Sequence, residues 1–293
     1  MNTELLNELA QKAKSYTAYE NEEMHTWCGE CGNYGIMNAL IRALVLENIE
    51  PHQALFCFDI GCNGNGSDKF ASYTYHGLHG RVLPLAAGAK IANPELTVLA
   101  SAGDGAVLSE GVNHLVHTVR NDYPILFLLH DNQSYALTTG QPSSTTPVGK
   151  KMNCAPQGSP IETINPLQLV LSLDPSFVAQ TSSSDVNHMT DIFRLALHHE
   201  GFAFISIRQV CPTYNKESNH EWHLTHAYKI ETVANYDRHN IWDARKIVEN
   251  PADEKFPIGL LYENKNRKNF FQMMGTEKRN LTKEVQYYDI SQM

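Results

Sequence analysis

Short apolar runs alternate with amphipathic stretches along most of the chain. Five of the runs have the length and composition of buried strands, and three intervening stretches carry apolar residues at helical spacing. The predicted strands are residues 54–60, 97–102, 125–129, 177–180 and 202–210, and the predicted helices are residues 36–46, 166–173 and 185–199. This alternation, which extends over residues 33–215, predicts an α/β fold with a doubly wound, mostly parallel sheet.

The two ends of the chain depart from this alternation. Apolar residues recur at helical spacing near the start, so residues 1–25 are expected to form a helical segment. Residues 26–215 form the predicted domain, within which the Pro-, Ser- and Thr-rich residues 141–160 are too long for an ordinary connection and predict a lid or a partner-facing loop. Residues 216–293 are polar and weakly periodic, and only residues 256–262 have a strand pattern. We therefore expect an irregular C-terminal extension that faces a partner.

The segment from residue 97 to residue 132 carries the first candidate chemistry. It has the pattern of a βαβ unit, and because such crossovers are right-handed the two strands should be parallel and adjacent. Asp104 and Asn132 would then lie together at the carboxyl edge of the sheet, where this class of fold binds ligands. A carboxylate and an amide oxygen suit Mg²⁺, while Gly103 and Gly105 leave room for a diphosphate beside the backbone. We expect a magnesium-diphosphate site here, although a Gly-Asp-Gly tripeptide by itself is usually only a turn.

Composition narrows the classes of function. With 293 residues, 42% of them hydrophobic and 19% charged, the chain has the makeup of an ordinary globular protein. A formal charge of −9 argues against a general nucleic-acid binder, which would carry a basic surface. No apolar run is long enough to span a bilayer, and the first residues lack the apolar core of a signal peptide. A cytoplasmic location without membrane contact is expected.

Four of the six cysteines are placed so that the fold could bring them together. Cys28 and Cys31 form a Cys-x-x-Cys pair, while Cys62 and Cys211 each follow a predicted strand at the same edge of the sheet. In a reducing compartment such thiols bind metal or do redox chemistry more often than they form disulfides. Four thiolates suit zinc or an iron–sulfur cluster, and their spacing alone leaves zinc, a cluster and no shared metal equally open. Cys57 lies inside an apolar strand and is expected in the core.

The segments that contain these residues match those of one known family. In chain order they are Trp27-Cys28-x-x-Cys31-Gly32-Asn33-Tyr34-Gly35, Ile60-Gly61-Cys62, Leu78-His79-Gly80-Arg81, Gly103-Asp104-Gly105, Asp131-Asn132-x-x-Tyr135-x-Leu137-Thr138 and Cys211-Pro212-Thr213-Tyr214-Asn215. Together they make the sequence resemble the β subunit of 2-oxoacid:ferredoxin oxidoreductases, the family of the pyruvate and 2-oxoglutarate enzymes. The resemblance covers about residues 26–215, and Pro257-Ile258-Gly259-Leu260 is similar to the C-terminal part of that subunit.

The resemblance implies three cofactors: thiamine diphosphate, Mg²⁺ and a 4Fe-4S cluster. The implied cluster ligands are Cys28, Cys31, Cys62 and Cys211, and the implied Mg²⁺ ligands are Asp104, Asn132 and the backbone oxygen of Ser134. The implied contacts of thiamine diphosphate are Ile60, Gly61, His79, Gly103, Asp104, Gly105, Asn132, Ser134, Leu137 and Thr138, with His79 at the diphosphate in the catalytic role. The implied reaction is oxidative decarboxylation of a 2-oxoacid with coenzyme A, giving acyl-CoA and CO₂ and passing electrons through the cluster to ferredoxin.

The sequence departs from the family pattern at three points. Gly29-Glu30 stands between the paired cysteines where many relatives have Pro-Gly, so a carboxylate lies beside the cluster and predicts a lowered reduction potential. Asn65 stands where relatives resembling the 2-oxoglutarate enzymes have a basic residue, which leaves selectivity for a second carboxylate open. No residue resembles the glutamate that activates the aminopyrimidine ring of thiamine diphosphate. An α subunit is therefore expected to complete the site.

Two alternatives of a different class stand beside this interpretation. A non-oxidative thiamine diphosphate-dependent decarboxylase would share the magnesium-diphosphate site, but it has no use for four converging cysteines. A non-catalytic subunit stapled by zinc would keep the cysteines and lose the chemistry.

Overall fold

One sheet organises the chain, in a computed structural model that describes residues 16–24, 26–249, 255–275 and 279–284. Its strands are β1 (Ala54–Phe58), β2 (Tyr73–His76), β3 (Thr97–Gly103), β4 (Leu126–Asp131), β5 (Phe177–Ser182), β6 (Ala203–Arg208), β7 (Ala227–Lys229) and β8 (Phe256–Glu263). They lie in the order β2-β1-β3-β4-β6-β5-β8-β7. The first six strands are parallel to one another, β8 is antiparallel to β5, and β7 is parallel to β8. The predicted, mostly parallel sheet is confirmed.

Helices cover both faces of this sheet. In the part of the chain that the structure describes they are α1 (Gly32–Leu46), α2 (Val82–Ala92), α3 (Val112–Asn121), α4 (Pro166–Leu171), α5 (Val186–Leu197), α6 (His220–His226), α7 (Ile241–Glu249) and α8 (Phe270–Met274). Strand β4 sends Leu126 and Leu128 to the face that α1 and α5 cover, and Phe127 and Leu129 to the opposite face. Because both of its faces are buried, β4 begins with a continuous apolar run instead of alternating apolar and polar residues. None of the helices in the described ranges has the length and apolar character that a membrane crossing needs.

The βαβ unit predicted for residues 97–132 is present. Strands β3 and β4 are adjacent and parallel, with Gly103 opposite His130 in the register. The structure differs from the prediction at the turn: Gly103 is the last residue of β3, and helical backbone begins directly at Asp104. A π-helical turn at Ala106–Glu110 then precedes α3. The carboxyl end of β3 therefore feeds straight into the amino end of a helix, without a separate loop.

The C-terminal part of the chain is more regular than its sequence periodicity indicates. The strand predicted at residues 256–262 is β8, which joins the main sheet beside β5. The weakly periodic residues around it form α6, α7, α8 and β7. Helix α7 buries only Ala244 and Val248 among its nine residues, so its apolar pattern is too sparse to be recognised. Of the segment 1–25, which is expected to be helical, residues 1–15 and residue 25 lie outside the described residues.

Candidate active site at the carboxyl edge of the sheet

A cavity of about 70 Å³ opens at the carboxyl ends of β1, β3 and β4. All ten residues that the resemblance assigns to thiamine diphosphate line it, namely Ile60, Gly61, His79, Gly103, Asp104, Gly105, Asn132, Ser134, Leu137 and Thr138. Cys62, Asn63, His130, Tyr135 and Gln209 line it as well. The cavity is small beside ordinary cofactor pockets of roughly 300–1,000 Å³.

Asp104 is the buried carboxyl group of the cavity. Hydroxyl groups of Ser143 and Thr145 donate to its Oδ2, the latter at 2.6 Å. The same Thr145 hydroxyl lies 2.7 Å from Oδ1 of Asp131, so a single hydroxyl hydrogen serves two buried carboxylates. Burial, reinforced by the charge of Asp131, raises the pKa of Asp104. A divalent cation beside Asp104 would relieve both effects, which fits the predicted magnesium site.

Asn132 and Ser134 offer further oxygen ligands on the same wall. Oδ1 of Asn132 accepts the backbone N–H of Ser134 at 3.0 Å, which fixes the amide. The Ser134 side chain is buried, and its Oγ has no hydrogen-bond partner among the described residues. A buried hydroxyl without a partner is costly, and a cation or a phosphate oxygen would satisfy it. The donor set around Asp104 therefore fits a magnesium-diphosphate group.

Glycine forms the floor of the cavity at two points, for different reasons. A Cβ built on Gly103 would meet nothing within 4 Å, so the space beside this residue is open. A Cβ built on Gly105 would lie 2.4 Å from the ring of Tyr135, so only glycine fits there. Tyr135 closes the contact by donating its hydroxyl to the Gly105 carbonyl at 3.1 Å. The open space at Gly103 is the place where a ligand could approach the backbone.

His79 is held at the cavity by two acidic residues that no sequence motif singled out. Asp59, directly after β1, accepts the backbone N–H of Gly80 at 2.9 Å and that of Val82 at 3.2 Å. Glu110, from the π-helical turn, contacts Nδ1 of His79. The strand end and the π-helical turn thus fix the loop from both sides and keep the imidazole at the cavity wall.

The four predicted cluster ligands gather beside this cavity. Burial, together with the nearby thiols of Cys31, Cys211 and Cys28, raises the pKa of Cys62 to about 12. Thr213 donates its hydroxyl to Sγ of Cys28 at 3.3 Å. Within the described residues, no three His, Cys, Asp or Glu side chains are grouped tightly enough to hold a single metal ion. Four thiols that lie near one another without forming a site for a single ion fit an iron–sulfur cluster, in which each thiol would bind a different iron atom.

The Cys28–Cys31 loop has an unusual backbone and a distant support. Glu30 has φ of 62°, a left-handed conformation that favours glycine. Nε2 of His220, on α6, lies 3.0 Å from the Glu30 carbonyl, and Nδ1 of His220 lies 2.9 Å from Oγ of Ser184. The C-terminal part of the chain therefore braces the loop. Cys57, by contrast, is 1% exposed in the core, as predicted.

A series of hydrogen bonds between buried polar side chains runs behind the cavity, and the sequence did not predict it. Asn63 donates to Ser101 at 3.1 Å, and Ser101 lies 2.9 Å from Nε2 of His130. Nδ1 of His130 lies 3.0 Å from Oδ1 of Asn33 and 3.1 Å from Oε1 of Gln209. Burial lowers the pKa of His130 to about 4, so the ring is neutral near pH 7. The only sequence signal was a polar residue within an otherwise apolar run that ends β4.

A second cavity, of about 380 Å³, lies on the other side of Asp131. Arg208 pairs with Oδ2 of Asp131 at 3.0 Å and lies over the ring of Phe256. None of the ten residues assigned to thiamine diphosphate lines this cavity. Asp131 lines this second cavity and not the first, so Asp104 is the carboxylate that faces the first cavity.

Comparison with known proteins agrees with this geometry. The family model of the thiamine pyrophosphate enzyme, C-terminal TPP-binding domain, matches residues 59–207, and the model of the C-terminal part of the pyruvate ferredoxin oxidoreductase β chain matches residues 211–279. The 2-oxoacid:ferredoxin oxidoreductase subunit beta of Sulfolobus sp is 33% identical over 260 residues, which cover 83% of each chain. The 2-oxoglutarate oxidoreductase subunit KorB of Mycobacterium tuberculosis is 36% identical over 208 residues, which cover 71% of this chain and 55% of that one.

A solved structure extends the agreement to the fold. The 2-oxoglutarate:ferredoxin oxidoreductase of Magnetococcus marinus, with 2-oxoglutarate, coenzyme A and succinyl-CoA bound, superposes with a TM-score of 0.85 at 31% identity. The match covers 89% of this chain and 88% of that one. The chain therefore belongs to the family of 2-oxoacid:ferredoxin oxidoreductase β subunits.

Proposed function

We propose that this chain is the catalytic β subunit of an enzyme that oxidatively decarboxylates a 2-oxoacid, with coenzyme A as acyl acceptor and ferredoxin as electron acceptor. One observation carries the proposal. The ten residues assigned to thiamine diphosphate line a single cavity, and Cys62, one of the four assigned cluster ligands, lines the same cavity. Thiamine diphosphate, as the electron donor, and the cluster, as the first electron acceptor, would thus lie against the same wall of the cavity.

In this proposal the chain's own residues bind and orient the diphosphate end of the cofactor. Asp104, Asn132 and the Ser134 backbone hold Mg²⁺, and the open space at Gly103 receives the diphosphate. When bound, thiamine diphosphate supplies the nucleophilic carbon and the electron sink for decarboxylation. Asp59 and Glu110 keep His79 beside the diphosphate, where an imidazole donates a hydrogen bond to a phosphate oxygen. The residues therefore act by positioning and electrostatics.

The proposal requires a partner subunit. The cavity holds only part of a cofactor, and Leu137 at its wall is 49% exposed while Leu78, beside His79, is 77% exposed. Large apolar side chains exposed at the rim of a site are typical of a surface that another chain covers. An α subunit over this rim would enclose the cofactor and supply the missing carboxylate for the aminopyrimidine ring.

The proposed cluster accounts for the four gathered thiols. Cys28, Cys31, Cys62 and Cys211 would each bind one iron of the cluster, which when bound would supply a one-electron acceptor beside the cavity. The type of 2-oxoacid, whether pyruvate or 2-oxoglutarate, stays open in this proposal. Asn65 provides no positive charge for a second carboxylate, so the α subunit would contribute to the choice.

The test is anaerobic purification of the chain with its α subunit. We expect brown protein with broad visible absorbance, iron and sulfide in the ratio of a 4Fe-4S cluster, and 2-oxoacid-dependent reduction of ferredoxin that requires coenzyme A. Cys211→Ser should abolish the colour and Asp104→Asn the turnover. Cys154→Ser, at an exposed cysteine outside the set, is the matched control and should change neither.

Three results would contradict parts of this proposal. Colourless protein with stoichiometric zinc would favour the non-catalytic subunit. Decarboxylation without any electron acceptor would favour the non-oxidative enzyme. Turnover of a 2-oxoacid by the isolated chain would refute the need for the α subunit.

A further inference from the structure

Gln209 connects a predicted cluster ligand to the wall of the thiamine diphosphate cavity. It follows β6, is 3% exposed and lines the cavity. Its Nε2 lies 3.9 Å from Sγ of Cys31, and its Oε1 lies 3.1 Å from Nδ1 of His130. The backbone N–H of Gln209 donates to the Asp131 carbonyl at 2.9 Å, which anchors the residue at the sheet edge. The Gln209 side chain therefore contacts a predicted cluster ligand and also lines the cavity predicted to hold thiamine diphosphate.

The hydrogen bonds behind Gln209 have a direction. Ser101 accepts from Asn63 at 3.1 Å, so its own hydroxyl hydrogen is available for Nε2 of His130, 2.9 Å away. Nδ1 of His130 lies 3.1 Å from Oε1 of Gln209 and 3.0 Å from Oδ1 of Asn33, and because both of these amide oxygens can only accept, Nδ1 is the donor to them. The carboxamide is then oriented with its NH₂ group toward Cys31. A buried chain of this kind polarises each successive donor.

From this arrangement we propose that Gln209 is a positioning residue that raises the reduction potential of the cluster through an N–H···S hydrogen bond to Cys31. The inference rests on the proposed function, because it requires a cluster bound by Cys31. A cluster becomes more negative when it gains an electron, and a donor aimed at a ligand sulfur stabilises the reduced form. The step that Gln209 assists is the transfer of one electron from the decarboxylated substrate to the oxidised cluster.

The neighbouring hydroxyl of Thr213 has a different setting. Thr213 donates to Sγ of Cys28 at 3.3 Å, but Cys28 is exposed, so water competes for the same sulfur. Gln209 is buried and Cys31 is half-buried, so water competes less for this hydrogen bond, and a less solvated hydrogen bond is electrostatically stronger. The Gln209 bond should therefore have the larger effect on the potential.

Redox titration of the complex with its α subunit tests the proposal. Gln209→Met removes the donor at nearly constant length, and the cluster should become about tenfold harder to reduce, a shift of about 59 mV to lower potential. Gln209→Glu places an acceptor near the sulfur and should shift the potential further in the same direction. Gln180→Met is the matched control, because Gln180 is also buried and donates to the Pro257 carbonyl at 2.6 Å. Its potential should equal that of the wild type.

A second measurement does not depend on the variants retaining the cluster. Protein labelled with nitrogen-15 in its glutamine side chains should show, by pulsed electron paramagnetic resonance of the reduced cluster, a coupling to one amide nitrogen. An unshifted potential in both Gln209 variants would overturn the inference, and so would the absence of that coupling in the wild type. Wild-type complex without any iron–sulfur signal would overturn the proposed function itself.

Discussion

Asp59 is the carboxylate on which the position of the His79 loop depends. It is fully buried, and its Oδ1 accepts the backbone N–H groups of Ile60 at 2.8 Å and Gly80 at 2.9 Å, while its Oδ2 accepts that of Val82 at 3.2 Å. Asp59→Ala would remove both acceptor oxygens, and with them all three hydrogen bonds, and would leave the Gly80 and Val82 amides buried without these partners. We expect this substitution to destabilise the fold and to weaken the binding of thiamine diphosphate.

The size of the effect follows from these bonds. A hydrogen bond to a charged group contributes about 1.5–3 kcal/mol, and two of the three bonds join Asp59 to the loop, which gives about 3–6 kcal/mol. Alanine also avoids the cost of burying a carboxylate, so the loss should lie near the lower end, at about 3 kcal/mol. That is a large part of a typical free energy of unfolding of about 5–15 kcal/mol.

Urea unfolding of the purified chain, followed by circular dichroism, measures this loss. Asp185→Ala is the matched control, because Asp185 caps α5 by accepting the N–H of His188 at 3.0 Å. Loss of such a cap costs about 1 kcal/mol and should leave the affinity for thiamine diphosphate unchanged. Equal losses for the two variants, or unchanged cofactor affinity in Asp59→Ala, would refute the reasoning.

Three further predictions concern the cavity, the cluster loop and the response to acid. Gly103→Ala should weaken the binding of thiamine diphosphate, measured by calorimetric titration, and should leave the free energy of unfolding unchanged. Gly105→Ala should lower the free energy of unfolding by about 1–3 kcal/mol, measured in urea, because its Cβ would lie 2.4 Å from the Tyr135 ring. Glu30→Gln should raise the reduction potential of the proposed cluster by removing a negative charge beside it, and a redox titration without an upward shift would contradict this. Burial lowers the pKa of His223 from 6.5 to about 3. The unfolded chain therefore gains a proton below about pH 6.5 that the folded chain does not bind. The free energy of unfolding should fall by about 1.4 kcal/mol per pH unit down to about pH 3. The thermal unfolding of His223→Gln should depend less steeply on pH in this range.

The parts of the fold that follow from periodicity could be predicted from the sequence. The apolar runs identified β3 and β4, and the handedness of crossovers placed them side by side. Residues that directly follow strand ends, such as Asp104 and Asn132, were therefore correctly expected at one edge. Their assignment as ligands stays a prediction.

Contacts that depend on loop conformation could not be predicted. Ser143 and Thr145 reach Asp104 from the long Pro- and Ser-rich segment, where neither periodicity nor spacing indicates which hydroxyl faces inward. Gln209 and His130 gave equally little signal, because a polar residue at a strand end can face solvent or the interior. The helices of the C-terminal part bury too few apolar residues for their period to be visible.

The contact between His220 and Glu30 joins positions that are 190 residues apart, and it has a consequence for biosynthesis. At about 5–20 residues per second, a ribosome needs roughly 10 to 40 s to make the intervening chain. During that time Cys28, Cys31 and Cys62 have been made without Cys211 and without the helix that braces their loop. Insertion of the proposed cluster would therefore follow translation of the C-terminal part, and until then the early thiols would be open to oxygen and to stray metal ions. The proposed cluster site would thus be complete only after the last third of the chain has been made, because Cys211 and His220 lie there.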